Sequence, residues 1–467
     1  MNSFVKEVIK ISWPIIIGQI GMVLTGFFDS LMVAKLGYEE LAAVGISNSI
    51  FLLLAIFPMG VTMAFSTIIG ILHGNKKTSL YHYFVKDSFI STIILSILIS
   101  VIISIIVKNF EWINQPEDVT QISKPYFTLL NWSLMPMLIF FFAKNISDGL
   151  SYTKGGMFVT ISALCLNIFL NWVLIYGKLG FTAYGVNGAG YATIISRVYM
   201  ATSMLIILFN SRDTPLQFSN FISSLRISNR IKFFKKIIRL GFPSGLQYFF
   251  EVAAFAAAAV MAGWLGGKEL AAHQLAITIA SFTYMFAGGI AAGGSICVAK
   301  AYGNKNFIHV KKYGKASWQI GFIVMSFFAI IFLFFNNFLA QLFTDKTEII
   351  QMGAHLLIIA AFFQLSDGIQ AISVALLRGI TDVKLPSFFI FLAYWIIAIP
   401  SGYILSKLSH YNYLWTGLNG IWIALSIGLT ISAIGLSYRF YYLLRKTLNF
   451  FEQVSFIKFK LLIGSLK

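Results

Sequence analysis

Long apolar runs are the dominant pattern of this chain: stretches of about twenty residues rich in Leu, Ile, Phe, Val and Ala recur from one end to the other, parted by short polar connections. A helix of that length crosses a hydrocarbon layer roughly 30 Å thick with all its backbone hydrogen bonds closed internally. The pattern predicts twelve such helices, over residues 12–34, 44–72, 85–107, 126–148, 157–176, 188–209, 238–264, 272–300, 316–339, 353–376, 386–405 and 417–443. The first run follows Lys6 and Lys10 as a leader would, but it is too long for the apolar part of a signal peptide and has no convincing small-residue cleavage site. It reads as a retained helix.

Composition agrees. Of 467 residues 58% are hydrophobic and only 11% charged, too apolar a set for one aqueous core, and no stretch is left over for a soluble domain. The formal net charge of +18 would point to nucleic acid in a soluble protein, so the placement of the basic residues decides. Alternate connections carry most of them, including Lys76, Lys77, Lys154, Arg212, Arg230 and Lys305, while the opposite connections hold little beyond residues such as Lys35, Lys108, Lys178 and Lys346. The positive-inside rule then puts both termini in the cytoplasm, with anionic lipid, not nucleic acid, against the basic side of the chain. Cys165 and Cys297 both fall inside expected spans and read as small packing residues rather than a disulfide.

The chain also repeats itself. At a constant offset of 229, "KLGYEELAAVG" at 35–45 lies over "WLGGKELAAHQ" at 264–274, Pro14 over Pro243, Ser66 over Ser295 and "HGNKK" at 73–77 over "YGNKN" at 302–306. Near the ends "GVNGAG" at 185–190 resembles "GLNGIW" at 417–422, with the offset grown to 232. Six spans per repeat is an even number, so both halves enter the membrane in the same sense. The expected fold is an all-α integral membrane protein with twelve transmembrane helices in two six-helix bundles, a parallel repeat, around a central cavity. The expected boundaries are 1–209 for the first lobe, 210–237 for a cytoplasmic linker that tethers to the lipid surface, 238–445 for the second lobe and 446–467 for a cytoplasmic tail.

Charge inside lipid costs at least roughly 2.5–3.5 kcal/mol at the bilayer centre, so intramembrane acids mark function. Asp29, Glu251 and Asp367 each lie well within an apolar run, and Asn167 and Asn171 stand four apart on one face of the fifth span. The repeat sharpens the reading: Asp29 falls on Ala258 and Glu251 on Met22, so neither acid is duplicated as a common structural strut would be. Arg197, near the middle of the sixth span, has no partner that spacing alone can name. Lys144 with Asp148 and Arg378 with Asp382 stand four apart near span ends and read as ordinary ion pairs. Aromatic residues near the acids, Tyr248, Phe255, Phe282, Tyr284 and Phe363, offer π-faces to a cationic ligand or simply pack. There is no Gly-rich GKS or GKT loop for ATP and no HExxH pair for zinc, so the chain reads as no enzyme and takes its energy from an ion gradient.

These residues resemble the multidrug and toxic compound extrusion (MATE) family, in its bacterial NorM-type branch, over about residues 5–445. The resemblance is carried by "GFPSGLQYFFEVAAFAAAAVMAGWLGGKELAAHQLA" at 241–276, "FFDSLMVAKLG" around Asp29, "LNIFLNWVLIYGKLG" at 166–180 and "SDGIQAISVALLRGITDVKLP" at 366–386. It implies two six-helix lobes arranged as a V and antiport of organic cations against sodium or protons, by a monomer with no cofactor beyond the coupling ion. It further implies that Asp29, Asn167 and Asn171 are the cation-site residues of the first lobe and Glu251 and Asp367 the acids of the second, where they hold Na+ if sodium is the coupling ion. Gln274, Tyr284, Asp345 and Phe363 take substrate-contacting positions. Some relatives have Tyr where Phe363 stands, and another branch has Asp where Asn171 stands; both changes remove an oxygen ligand or a charge. A lipid-linked oligosaccharide flippase of related two-lobed plan is the alternative. It would place several Arg or Lys in the spans, where here Arg197 is the lone central base. A membrane sensor without transport fits the paired halves poorly.

Overall fold

The protein is seen here in a computed structural model that describes residues 3–210, 216–227, 232–408 and 415–464. Among these there is no strand, and twelve helices are long and apolar enough to cross a membrane. The first six crossings are α1 (Ser3–Val33), α2 (Tyr38–Gly74), α3 (Tyr81–Lys108), α4 (Glu117–Gly149), α5 (Lys154–Tyr176) and α6 (Gly185–Asn210). A short helix, α7 (Phe218–Ile227), precedes α8 (Phe234–Leu265), α9 (Gly267–Gly303), α10 (Phe307–Gln341) and α11 (Thr347–Gly379). The eleventh crossing is built in pieces, α12 (Lys384–Phe391), a π-helical stretch (Leu392–Ala398) and α13 (Ile399–Lys407), and α14 (Gly417–Gly464) makes the twelfth. Each expected span has its helix. Most helices run past the apolar stretch, because the backbone bonds continue wherever capping chemistry allows.

That chemistry is local and readable. Glu39 and Glu40 sit in the first turn of α2 and Glu117 and Asp118 in that of α4, where carboxylates meet the positive end of the helix dipole. The side chain of Asn306 accepts a hydrogen bond from the His309 amide and caps α10. At the other end of α5, Gly177 turns left-handed at φ 64° and its amide returns to the Val173 carbonyl.

The duplication extends to single hydrogen bonds. After α2, Lys76 has φ 56° and its amide bonds to His73; after α9, Lys305 has φ 55° and bonds to Tyr302. After α4, Ser151 (φ 71°) bonds to Asp148 and Tyr152 to Ser147; after α11, Thr381 (φ 67°) bonds to Arg378 and Asp382 to Leu377. The glycines ending α4 and α11 serve one purpose. A methyl on Gly149 would lie 2.5 Å from the Ser66 carbonyl oxygen, and one on Gly379 would lie 3.0 Å from that of Ser295, its repeat mate. Only a residue without a Cβ lets these helices approach so closely.

By contacts the chain divides into two compact units, residues 11–255 and residues 1–10 with 256–467. The division falls inside α8, and the first turns of α1 belong with the second unit. In that unit Phe4 packs on Tyr313 at 4.9 Å and Glu7 accepts from the Tyr313 hydroxyl at 2.5 Å; in the other, Phe233 packs on Phe84 at 5.5 Å. Phe4 and Phe233 are repeat mates, as are Phe84 and Tyr313, so the helix start of each repeat rests on the third span of the other. The linker is more than a tether to lipid: Phe221 of α7 is buried between Phe209 and Phe89, at 5.0 and 5.7 Å. Its basic residues Arg212 and Arg230 lie outside the described residues.

Candidate functional site

In the unit of residues 11–255, three helices bring polar groups to one buried carboxylate. Asp29 comes from the C-terminal half of α1 and is 6% exposed, while Asn167 and Asn171 come from one face of α5 and are wholly buried. The Asn171 amide donates to Asp29 Oδ1 at 2.5 Å and to Asn167 Oδ1 at 3.2 Å. The four-residue spacing of the asparagines, legible in the sequence, is what stacks the two amides. Thr193 of α6 and the Asn167 amide nitrogen also lie within reach of the carboxyl, yet neither completes a hydrogen bond, and Asn171 Oδ1 is likewise buried and unmatched. A buried polar atom without a partner is costly. Here the unmatched oxygens and the single carboxylate form a small set of hard donors, the kind a monovalent cation or a proton completes.

Arg197, one turn beyond Thr193 on α6, now has partners that spacing alone did not give. Its Nη1 donates to Ser133 Oγ of α4 at 2.5 Å, and its guanidinium lies 4.8 Å from the Phe51 ring of α2. It stands within electrostatic reach of Asp29 and of the fully buried Tyr126.

Glu251, 7% exposed on α8, belongs to the same unit. Gln247, four residues earlier and also buried, shares its helix face.

In the other unit Asp367, 4% exposed, sits in a polar stripe along α11. Gln364 donates to Thr283 of α9, and Gln370 joins Tyr394 of the π-helical stretch (Nε2 to hydroxyl, 3.2 Å) to Ser432 of α14. The π turn has a local cause. Pro400 has no amide hydrogen, so the regular bond to the carbonyl of Ile396 is lost and the backbone rewinds ahead of it. Phe363, one turn before Asp367, is buried against Trp422 at 5.8 Å, whose indole donates to His273 Nδ1 at 3.1 Å.

The remaining expected site residues are spread out. Gln274 of α9 is exposed, Tyr284 is half-buried, and Asp345 is exposed in the connection between α10 and α11. From its first residue, Thr347, to Asp367 α11 rises about 30 Å at 1.5 Å per residue, and Asp345 lies two residues ahead of that start. Among the described residues no three His, Cys, Asp or Glu side chains gather to hold a metal, so any ion here depends on amide and hydroxyl oxygens as well as carboxylate.

Sequence reasoning passed over Thr193, Ser133, Gln364 and Gln370. For three of them a signal existed: Thr193 and Arg197 are four apart, and Gln364, Asp367 and Gln370 recur every third residue in an apolar run. Ser133 carries no such mark. Of the two expected ion pairs, Lys144 and Asp148 are joined at 2.6 Å, both buried. Asp382 instead pairs with Arg439 of α14 at 2.5 Å, a partner that helix spacing has no means of naming.

Comparison with known proteins identifies the family. The family model described as MatE matches residues 14–173 and 243–404, once in each repeat. The multidrug resistance protein NorM of Vibrio vulnificus strain YJ016 is 31% identical over 452 residues, covering 96% of this chain and 98% of its own. The probable multidrug resistance protein NorM of Halalkalibacterium halodurans is 31% identical over 442 residues, 94% of this chain and 95% of its own. Among solved structures, a multidrug resistance MATE family transporter of the MOP superfamily in an outward-facing conformation superposes with a TM-score of 0.86 at 23% identity, covering 96% and 97% of the two chains. A MOP superfamily transporter of Pyrococcus furiosus does so at 0.85 and 22%, over 96% and 97%. With the family model falling on both repeats and relatives aligned nearly from end to end, the chain belongs to the MatE family.

Proposed function

We propose that this protein is an antiporter of the bacterial inner membrane, with both termini cytoplasmic, that exports small organic cations in exchange for Na+ or H+ by alternating access. That the relatives are multidrug resistance proteins supports export of many compounds. The observation that carries the coupling is the Asp29 carboxyl, buried in a span and held by Asn171 amid unmatched oxygens of Asn171 and Thr193.

A buried carboxylate is stabilised by whichever cation neutralises it, and two cations cannot do so at once. Entry of the driving ion therefore weakens the hold on the drug, and the exchange needs no covalent step. In this reading Asp29, Asn167 and Asn171 hold the coupling cation in the first repeat, while Glu251 and Asp367 are the carboxylates over which drug and ion compete. Gln274, Tyr284, Phe363 and Asp345 contact substrate. One charge crossing about 100 mV supplies roughly 2.3 kcal/mol, near fiftyfold in concentration ratio, so a single ion per cycle is sufficient. The transporter acts as a monomer with anionic lipid around its basic side.

Purified protein in liposomes loaded with a fluorescent organic cation tests this. Efflux is expected when an inward sodium or proton gradient is imposed, and Asp29→Asn, Glu251→Gln and Asp367→Asn are expected to uncouple it. Wild-type flux in all three variants, or flux indifferent to both gradients, would falsify the assignment.

A further inference from the structure

The Asp29 pocket holds a cation of its own. Arg197 is fixed from two directions: its guanidinium donates to Ser133 Oγ at 2.5 Å and lies 4.8 Å from the Phe51 ring, and one turn earlier its helix brings Thr193 within reach of the Asp29 carboxyl. A guanidinium so held keeps its charge and does not swing away to the membrane surface. It is not ion-paired with Asp29, whose Oδ1 accepts from Asn171.

We propose that Arg197 is the built-in counter-cation of the Asp29 pocket, a specificity-determining residue that lowers the pocket's affinity for an incoming monovalent cation enough for that cation to be released. Two positive charges beside one carboxylate repel, so the arriving ion is held more loosely than Asp29 alone would hold it. The pocket then binds and lets go within each cycle rather than becoming a permanent sodium site. This inference rests on reading the Asp29 pocket as a cation site.

The test measures the half-saturating concentration of the driving ion, sodium and proton in separate arms, for cation efflux by the full-length protein in liposomes. Arg197→Gln is expected to lower that concentration about tenfold in the arm that drives transport, and to slow efflux at saturating ion because release is delayed. Arg197→Lys keeps the charge and is expected to stay within about twofold of wild type. Arg197→Met retains the apolar stem against Phe51 and serves as a second neutral variant should the Gln variant not fold. Asp29→Asn is expected to abolish ion-driven efflux whichever residue stands at position 197. An unchanged half-saturation in the neutral variants overturns the proposal, as does a Lys variant that behaves like the Gln variant. Ion dependence left intact by Asp29→Asn overturns instead the reading of the pocket itself.

Discussion

The two repeats share their backbone and differ in their chemistry. Lys76 and Lys305 turn the chain with φ values one degree apart, Ser151 and Thr381 close the same pair of hydrogen bonds, and Gly149 and Gly379 admit the same neighbouring carbonyl. The ionisable groups do not follow this symmetry. Asp29 with its asparagines and Arg197 has Ala258 as its counterpart in the second repeat, and Glu251 has Met22 in the first. Duplication preserved what two helix bundles both need, tight turns and close crossings. The costly buried charges differ between the copies.

Substitutions that exploit the duplication break or sharpen this contrast. The largest expected effect is on transport: Asp29→Asn abolishes gradient-driven efflux in liposomes, while Ala258→Asp at the mate position does not restore it in that background, since no asparagine pair waits there. Next is the buried ion pair. Lys144→Met strands Asp148 in a dry setting and is expected to cost about 3–5 kcal/mol, read as a lowered unfolding midpoint in detergent; adding Asp148→Leu is expected to recover much of it. Gly149→Ala and Gly379→Ala then compare matching crossings. Both are overpacked, at about 1–3 kcal/mol, with the larger fall in midpoint at Gly149, where the methyl meets its carbonyl at 2.5 Å rather than 3.0 Å. Smallest is the exposed pair of Lys124 and Glu111, where the ammonium holds the Glu111 carboxyl below the usual carboxylate range. A lowered folded-state pKa stabilises above the unfolded value and loses that contribution as pH falls. At a fully exposed site solvent screens it, and Lys124→Ala is expected to leave the midpoint where it was at neutral pH.

Much of the candidate site was legible beforehand, for a reason visible in the residues. Asp29, Glu251 and Asp367 stand out because lipid penalises charge wherever it occurs, whatever the fold. Asn167 and Asn171 stand out because four residues make one helical turn. Arg197 was visible as an anomaly but had no partner, and Asp382 was assigned the wrong one, because Ser133, Phe51 and Arg439 lie on other helices and no periodicity of one helix reports on its neighbours. The π turn around Tyr394 was likewise hidden: Pro400 announces a disturbance, but the network through Gln370 to Ser432 gives it a place.

What the sequence determined alone is therefore what a single helix in a membrane must satisfy: the number of crossings, their order, the even repeat, and the positions too expensive to occupy without purpose. Each follows from the transfer cost of one side chain or the hydrogen-bond needs of one backbone segment. The tertiary structure decided which groups meet. It set Asn171 against Asp29, Arg197 between Ser133 and Phe51, and Asp382 against Arg439, because such meetings depend on how helices far apart in the chain pack their faces, and packing is a property of the assembled bundle rather than of any one of its helices.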